Sequence, residues 1–457
     1  MSGTRKRLTL LAFMLGAGCG DQTPTESPVL LTDHLGREIV LHGLNLSGTH
    51  KNSPTGFAWH TEADFARMRD EWGLNAVRLV LGWSKLEPQR DTFSRAYLDD
   101  IEVRLDWAEA HGLHVLLDFH QDLWGPAFGS NGAPVWATMD GGFAYTPVDP
   151  WWFNYLSPAV GSAFSALWTN DRLQHEYFDA WAEVATRFGD HPAVIGYDLM
   201  NEPWYGFEWP LTFEAERLLP FYKGCLAAIR AVDPDATIFF EPPAFPTASG
   251  LASQMPAFGD ENVVYVPHYY DPLVHEGIAY LGATDLLDQA IANKAAEAQM
   301  HGAPLVIGEF GGLSTAFGFE SYLQDLMTAF DRHAAGWMAW DYDKDDGGGF
   351  GMVDSSLNVT PNLVPLIRVY PSAVAGRIES YSFDHETREF TLDYASAPSA
   401  FGPTVISVPD EWLYAAGFQV TSTDAPGTWS WAFDDATNML SVWHDPFVGQ
   451  HTVRVTP

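Results

Sequence analysis

A chain of 457 residues is long enough for one large domain and a smaller companion. Its 46% hydrophobic content supports a substantial core and excludes disorder over most of the length. With 24 Lys+Arg against 59 Asp+Glu the net charge is −35, so no nucleic-acid partner is expected and the charge reads as solubility.

The first segment has the pattern of a targeting leader. Arg5-Lys6-Arg7 supply positive charge, Leu8 to Leu15 an apolar stretch, and Gly16-Ala17-Gly18 small residues. The apolar stretch is too short to span a bilayer. Cys19 after small residues resembles a bacterial lipoprotein cleavage site, although Gly16 stands where such signals carry Leu. A leader over 1–19, secretion with or without a lipid anchor at Cys19, and a linker over 20–30 are therefore expected. With Cys19 removed or acylated, Cys225 remains alone and reads as a small buried hydrophobe, leaving no structural disulfide.

Strand-like and helix-like runs then alternate. Strands are predicted over Ile39–Asn45, Ala76–Leu81, His114–Phe119, Val194–Met200, Thr237–Phe240, Val263–Pro267, Leu305–Gly308 and Trp337–Trp340. Their continuous apolar character is that of parallel strands buried on both faces. Between them lie amphipathic stretches over Thr61–Trp72, Arg95–Ala110, Arg172–Phe188, Ala215–Val232, Asp285–Gln299 and Glu320–Arg332, the first opened by a Thr61…Asp64 capping box. Eight such units predict a closed (β/α)8 TIM barrel, an α/β fold, over residues 31–370. No Gly-x-Gly-x-x-Gly follows the first strand, which speaks against a dinucleotide-binding sheet. After Pro371 the texture changes to short alternating runs such as Ser380–Phe383, Glu389–Leu392 and Thr452–Val455, which predict an antiparallel β-sandwich over 371–457.

The chemistry is written at the strand ends. They carry Asn45, Arg78, His120 with Asp122, Asn201-Glu202-Pro203, Glu241, His268 with Tyr270, Glu309-Phe310-Gly311, and Trp340. Polar groups at the carboxyl ends of barrel strands converge on one site. Two of them, Glu202 and Glu309, supply the carboxylate pair of a glycoside hydrolase: one nucleophile and one acid/base roughly 5 Å apart in a retaining enzyme. Glu309 suits the nucleophile, with Arg78 and Tyr270 to keep it ionised, and Glu202 suits the acid/base. Asn201 can donate to the sugar 2-hydroxyl, and Trp340 offers a ring face. The bland alternative, two Glu pairing with Arg or capping strand ends, accounts for one motif but not both.

This combination resembles clan A retaining glycoside hydrolases, specifically family 5. The resemblance covers about residues 31–370 and implies functional roles for Arg78, His120, Asn201, Glu202, His268, Tyr270, Glu309 and Trp340. Asp118-Phe119-His120-Gln121-Asp122 and the appended sandwich resemble the endoglycoceramidase-related group, and His42-Gly43-Leu44-Asn45 with Lys51 also fits it. That resemblance implies cleavage between glycan and ceramide, with Asp118 and Asp122 helping to hold the sugar, no cofactor and no metal. His120-Gln121-Asp122 as a metal pair is the minor alternative.

An independent argument favours a lipid aglycone. The loop after the third strand runs for about 45 residues, a length that is usually functional. It carries Trp124, Phe128, Trp136, Phe143, Tyr145, Trp151, Trp152, Phe153 and Tyr155, and the next loop adds Trp204, Tyr205, Phe207 and Trp209. Such rings either pack on the barrel or line a cleft. A β-glucosylceramidase, a steryl glucosidase, a β-1,4-glucanase or mannanase, and a secreted carbohydrate-binding protein remain the competing readings. A monomer is expected. Asp341 to Gly347 lacks the turn Gly and closing Glu of a calcium loop and predicts a solvated acidic loop at the barrel mouth.

Overall fold

The computed structural model describes residues 28–46, 51–345, 349–445 and 447–457. The expected leader, Cys19, most of the linker, and Asp346 and Gly347 of the acidic loop lie outside them. No helix among the described residues is long and apolar enough to cross a membrane.

Eight parallel strands form one sheet: β3 (His42–Leu46), β4 (Ala76–Leu81), β5 (His114–Phe119), β6 (Val194–Asp198), β7 (Ile238–Phe240), β8 (Val263–Tyr265), β9 (Val306–Ile307) and β10 (Gly336–Ala339). Their spatial order is β8-β7-β6-β5-β4-β3-β10-β9. A parallel bridge between Tyr265 and Leu305 joins the two outer strands and closes the barrel. The strands are almost wholly buried, which is why their sequences are apolar without alternation. Leu116, Phe239, Val264, Val266, Val306 and Met338 cluster in one buried layer with Ala76. Gly308 makes room beside that layer, because a Cβ there would lie 2.6 Å from Val266.

Helices at Arg95–Ala110, Asp171–Phe188, Leu219–Arg230, Thr284–His301 and Phe319–Arg332 wrap the sheet. Their ends follow local chemistry. Ser94 accepts from the Tyr97 amide, Asn170 caps the second through Arg172 and Leu173, and Gly302 takes the left-handed turn that stops the fourth. The Thr61–Asp64 capping box forms, and the helix it opens widens into a π-helical turn over Arg67–Glu71.

The first predicted strand divides in two. Its first residue, Ile39, belongs to β2 (Glu38–Ile39), which with the preceding β1 (Leu31–Thr32) joins β11 (Tyr370–Val374), β14 (Thr404–Ser407), β17 (Met439–Trp443) and β16 (Ser430–Asp434) in a six-stranded sheet. A four-stranded sheet of β12 (Gly376–Phe383), β13 (Phe390–Ser396), β18 (Gln450–Thr456) and β15 (Gln419–Ser422) faces it across a shared apolar core. The crossover is managed by Asn75, whose amide donates to the Val40 carbonyl at 2.8 Å while its oxygen accepts from the His42 amide at 2.8 Å. Two backbone groups that leave one sheet before entering the other are thereby satisfied. The His42 ring, held neutral by burial with Arg368 adding to the effect, stacks between Trp337 at 4.3 Å and Tyr370 at 3.7 Å.

Further contacts bind the two parts. The Tyr370 hydroxyl and Ser407 Oγ both donate to the Gly73 carbonyl, at 3.0 and 2.7 Å, and a buried Arg368–Asp331 ion pair lies beside Phe383. A chain ending at Tyr370 would strand β1 and β2 and uncover this seam. It should be insoluble or melt at least ~10 °C lower by calorimetry. A stable, fully active truncation would show the sandwich to be dispensable.

Candidate active site

Arg78 on β4 is the centre from which the site is built. Its guanidinium is fully buried, and each of its nitrogens is engaged. Nε donates to Asp198 at 2.9 Å; Nη1 donates to Asn45 at 2.9 Å and to Glu309 at 2.8 Å. Nη2 donates to Asn201 at 3.0 Å and Glu241 at 2.9 Å, and lies 3.1 Å from Asp118. Burial alone would weaken the charge, but Asp118, Asp198, Glu241 and Glu309 outweigh it and hold the pKa well above the ordinary Arg value. Ligand atoms of Asp118, Asp198 and Glu241 lie within 4.8 Å of one another, and the cation among them is this guanidinium.

Glu309, following β9, is bound on both oxygens: Oε1 by Arg78 and Oε2 by the Tyr270 hydroxyl at 2.9 Å. Burial pushes its carboxyl upward, and His268 and Arg78 pull it back toward ionisation. Glu202 follows β6 and faces it. An oxygen of each carboxylate and a nitrogen of His268 all lie within 4.8 Å of one another, the spacing that leaves room for direct attack on a sugar rather than for an intervening water. His268 Nδ1 is 3.0 Å from Glu202 and Nε2 is 3.1 Å from Glu241. Burial opposes its charge, but Glu241, Glu309 and the hydrogen bond to Glu202 raise its pKa well above the usual value, so the imidazolium is the favoured form.

A second cluster continues the floor. Lys51 Nζ donates to Asp122 at 2.7 Å, lies 3.2 Å from His120 Nε2, and sits 4.3 Å from the Trp340 ring centroid. An ammonium has only protons to give, so His120 Nε2 accepts and its Nδ1–H donates to Asp118 at 2.8 Å. Burial, reinforced by Lys51, keeps His120 neutral. Asp122 is held far below the usual carboxylate range, because the charge of Lys51 outweighs its burial. Trp340 lies parallel to the His120 ring at 5.4 Å. The Lys51 ammonium thus occupies the cation position that a His120–Asp122 metal pair would need.

All eleven sequence-predicted site residues fall in these two clusters, joined through the Asp118–His120 bond. Four partners were assigned no individual role from sequence, although Asn45 and Glu241 were already counted among the converging strand ends. Asp198 pairs with Arg78 from the last position of β6, and that isolated acid in an apolar run was itself the signal. Asn45 donates to the carbonyls of Gly308 and Met338 while accepting from Arg78, locking β3 to β9 and β10. Glu202 adopts a left-handed backbone, φ 45°, which is strained for a side chain with a Cβ. It is held there from both sides: its amide donates to Glu241 Oε2 at 2.8 Å, and its carbonyl accepts from Gln121 Nε2 at 2.8 Å. Burial pushes Glu241 up to about 8, with His268 pulling against the rise. Glu241→Ala should therefore lower kcat about a hundredfold at nearly constant KM, with Glu241→Gln recovering part of it by restoring the amide acceptor; steady-state kinetics of both variants decide this.

The acidic loop departs from expectation. Asp341 and Asp343 are buried rather than solvated, because the Trp59 indole donates to Asp343 at 2.8 Å and backbone bonds tie the segment down. The long loop after β5 is also more ordered than expected. It contains a helix, Pro158–Thr169, and short 3-10 segments at 126–128, 135–137 and 151–156. Trp124 and Phe128 pack inward, whereas Phe143, Trp151, Trp152, Phe153, Phe207 and Trp209 stay exposed. Tyr155 connects the two populations. Burial, with Asp122 and Glu202 adding to it, pushes its hydroxyl well up, and its ring lies 5.2 Å from Trp204 and 6.3 Å from Trp151. Trp204 in turn lies 6.3 Å from the exposed Phe245.

A barrel whose strand ends present two carboxylates at this separation, one bound by Arg and Tyr and the other by His, has the constitution of a retaining glycoside hydrolase. The family comparison agrees. Residues 33–346 match the cellulase (glycosyl hydrolase family 5) model, and residues 368–455 match the glycoside hydrolase family 5 C-terminal domain. The chain belongs to glycoside hydrolase family 5, in its endoglycoceramidase-related group. It is 29% identical to an endoglycoceramidase of Hydra vulgaris across 85% of this chain and 81% of that protein. It is also 29% identical to endoglycoceramidase I of Rhodococcus hoagii, across 87% of this chain and 82% of that one. Among solved structures, endo-glycoceramidase II from Rhodococcus sp. in complex with ganglioside GM3 superposes with a TM-score of 0.87 at 30% identity, covering 94% of this chain and all of that one. Its lactosyl-enzyme intermediate superposes at 0.85 with 31% identity and the same coverage.

Proposed function

We propose that this enzyme hydrolyses the bond between glycan and ceramide in glycosphingolipids by a two-step displacement that retains configuration at the sugar. The observation that carries the reading is the continuity of two environments. A charged, densely hydrogen-bonded pit around Arg78 and Lys51 adjoins the aromatic trail from Tyr155 through Trp204 to Phe245 and Trp151. The pit suits a sugar and the trail an apolar aglycone. Near-complete coverage of a relative described with ganglioside GM3 and as a lactosyl-enzyme supports the same substrate class.

In this reading Glu309 attacks the anomeric carbon while Glu202 protonates the departing ceramide oxygen. Glu202 then deprotonates the water that releases the glycan. Arg78 and Tyr270 orient the nucleophile. His268 bonds the acid/base; Asn201 and Trp340, with Lys51, Asp118, His120 and Asp122, hold the sugar. Thin-layer chromatography of products from a glycosphingolipid panel tests the proposal: intact oligosaccharide plus ceramide is expected, and release of single terminal sugars or sterol would replace it. The reading also takes the enzyme as exported, on the strength of Arg5-Lys6-Arg7 and the apolar run after it. Loss of secretion on deleting residues 1–19 tests that part.

A further inference from the structure

We propose that Gln121 is a positioning residue for the acid/base, and that the turn Gln121–Trp124 joins this function to Tyr155, the ring that opens the aromatic trail. The inference rests on the reading of Glu202 as acid/base and deepens it. An alcohol leaves a sugar only when it is protonated as the bond breaks, so the carboxyl that protonates it must be held closely in place. Glu202 has a φ of 45°, a conformation that its own Cβ disfavours, so its surroundings must keep it there.

Gln121 does this with its whole side chain, which is buried. Its Nε2 donates to the carbonyls of Asn201, at 3.0 Å, and Glu202, at 2.8 Å. Its Oε1 accepts from the Trp124 amide at 2.9 Å, and its carbonyl accepts from Asn201 Nδ2 at 3.1 Å. A backbone N–H on one side and two carbonyls on the other leave the side-chain amide one orientation. An apolar side chain of the same length would make none of the three side-chain bonds.

The residues that follow each reach a different part of the site. Asp122 accepts from Lys51 at 2.7 Å on the sugar side. The Leu123 amide donates to the Tyr155 hydroxyl at 3.2 Å on the aglycone side. Trp124 returns to Gln121, and its ring meets Phe164 of the helix Pro158–Thr169 edge-on at 5.3 Å. Leu123 and Trp124 both take left-handed backbone, at φ 53° and 74°. A turn that only had to reverse the chain would use glycine there, as the same loop does at Gly129 and Gly141. Gly132 packs against the turn, since a Cβ on it would lie 2.6 Å from Gln121 Cβ. A displacement of the Tyr155 hydroxyl is thereby passed through the Leu123 amide and Gln121 to the carbonyl of the acid/base.

Two lipid-free substrates with the same sugar test this on the whole enzyme. An alkyl β-glycoside needs the proton of Glu202 for its departure, and a dinitrophenyl β-glycoside does not. Gln121→Met should lower kcat/KM about a hundredfold for the alkyl glycoside and less than about threefold for the dinitrophenyl glycoside. For the activated substrate kcat and KM should fall together, because hydrolysis of the glycosyl-enzyme still needs Glu202 as base. Tyr155→Phe keeps the ring and removes only the hydroxyl; it should lower kcat/KM for the alkyl glycoside about tenfold, and it carries the same discrimination between substrates if Gln121→Met does not fold. The double variant should be no worse than Gln121→Met alone, because links in series are lost only once. Equal losses on both substrates, or multiplied losses in the double variant, overturn the proposal. Glu202→Gln measured alongside separates the two readings. If it spares the alkyl glycoside, the acid/base assignment falls and the positioning role with it. If it discriminates between the substrates and the Gln121 and Tyr155 variants do not, only the positioning role falls.

Discussion

Glu309→Gln should abolish turnover of every β-glycoside, on the order of a million-fold, as removal of a catalytic nucleophile does. Glu202→Ala should behave differently. Substrates with good leaving groups need no protonation, so their glycosylation step should survive, and the glycosyl-enzyme should accumulate. Added azide needs no general base and should restore turnover, releasing a β-glycosyl azide. The separation of the two carboxylates demands retention, which proton NMR of the first-formed anomer checks directly. Measurable wild-type turnover in Glu309→Gln would remove the nucleophile assignment, and an inverted first product would remove the mechanism. The pH dependence has a defined sign as well. Attack requires ionised Glu309, and burial pushes its carboxyl upward. Activity should therefore be lost on acidification earlier than for an exposed Glu, placing the acid limb of kcat/KM above about 4.3.

Which parts of this site could be read from sequence follows from how each residue is specified. Parallel barrel strands are buried on both faces, so Ala76–Leu81 and His114–Phe119 announce themselves as apolar runs and match the structure at both ends. Glu202 and Glu309 were legible because each interrupts such a run at its carboxyl end beside Pro or Gly. The helix Pro158–Thr169 was not, since Pro-Ala-Val-Gly-Ser-Ala-Phe-Ser-Ala-Leu-Trp-Thr is apolar nearly throughout and lacks the one-sided period of a surface helix. The departure of Leu31 to Ile39 into the C-terminal sheet was hidden for another reason. A strand paired far along the chain and one that continues locally carry the same β-branched signal, and only Asn75 marks the exchange. Glu241 and Gln121 act on the backbone of Glu202, and a strained φ leaves no trace in residue type.

Detergent-dispersed glycosphingolipid should be cleaved far faster than cellulose or mannan oligosaccharides. Burying apolar surface is worth about 25 cal/mol per Å², so a ceramide lying along the Tyr155–Trp204–Phe245 trail contributes several kcal/mol that a soluble glycan cannot. Binding energy realised at a distance from the scissile bond can be used to orient it, which raises kcat along with lowering KM. The difference in kcat/KM should reach roughly a thousandfold. Trp151→Ala removes a ring in contact with Tyr155 but far from the Glu202–Glu309 pair in the hydrogen-bond network. It should slow ganglioside cleavage about tenfold and an aryl β-glycoside far less, and Phe245→Ala should do the same from the other end of the trail. The shared readout matters, because a merely destabilised barrel would slow both substrates together. Equal efficiency on a lipid-free oligosaccharide would shift the assignment to a polysaccharide-cleaving member of the family. The aromatic trail would then be a platform for further sugars, each stacked on a ring, and truncating the oligosaccharide, rather than the lipid, would carry the loss in kcat.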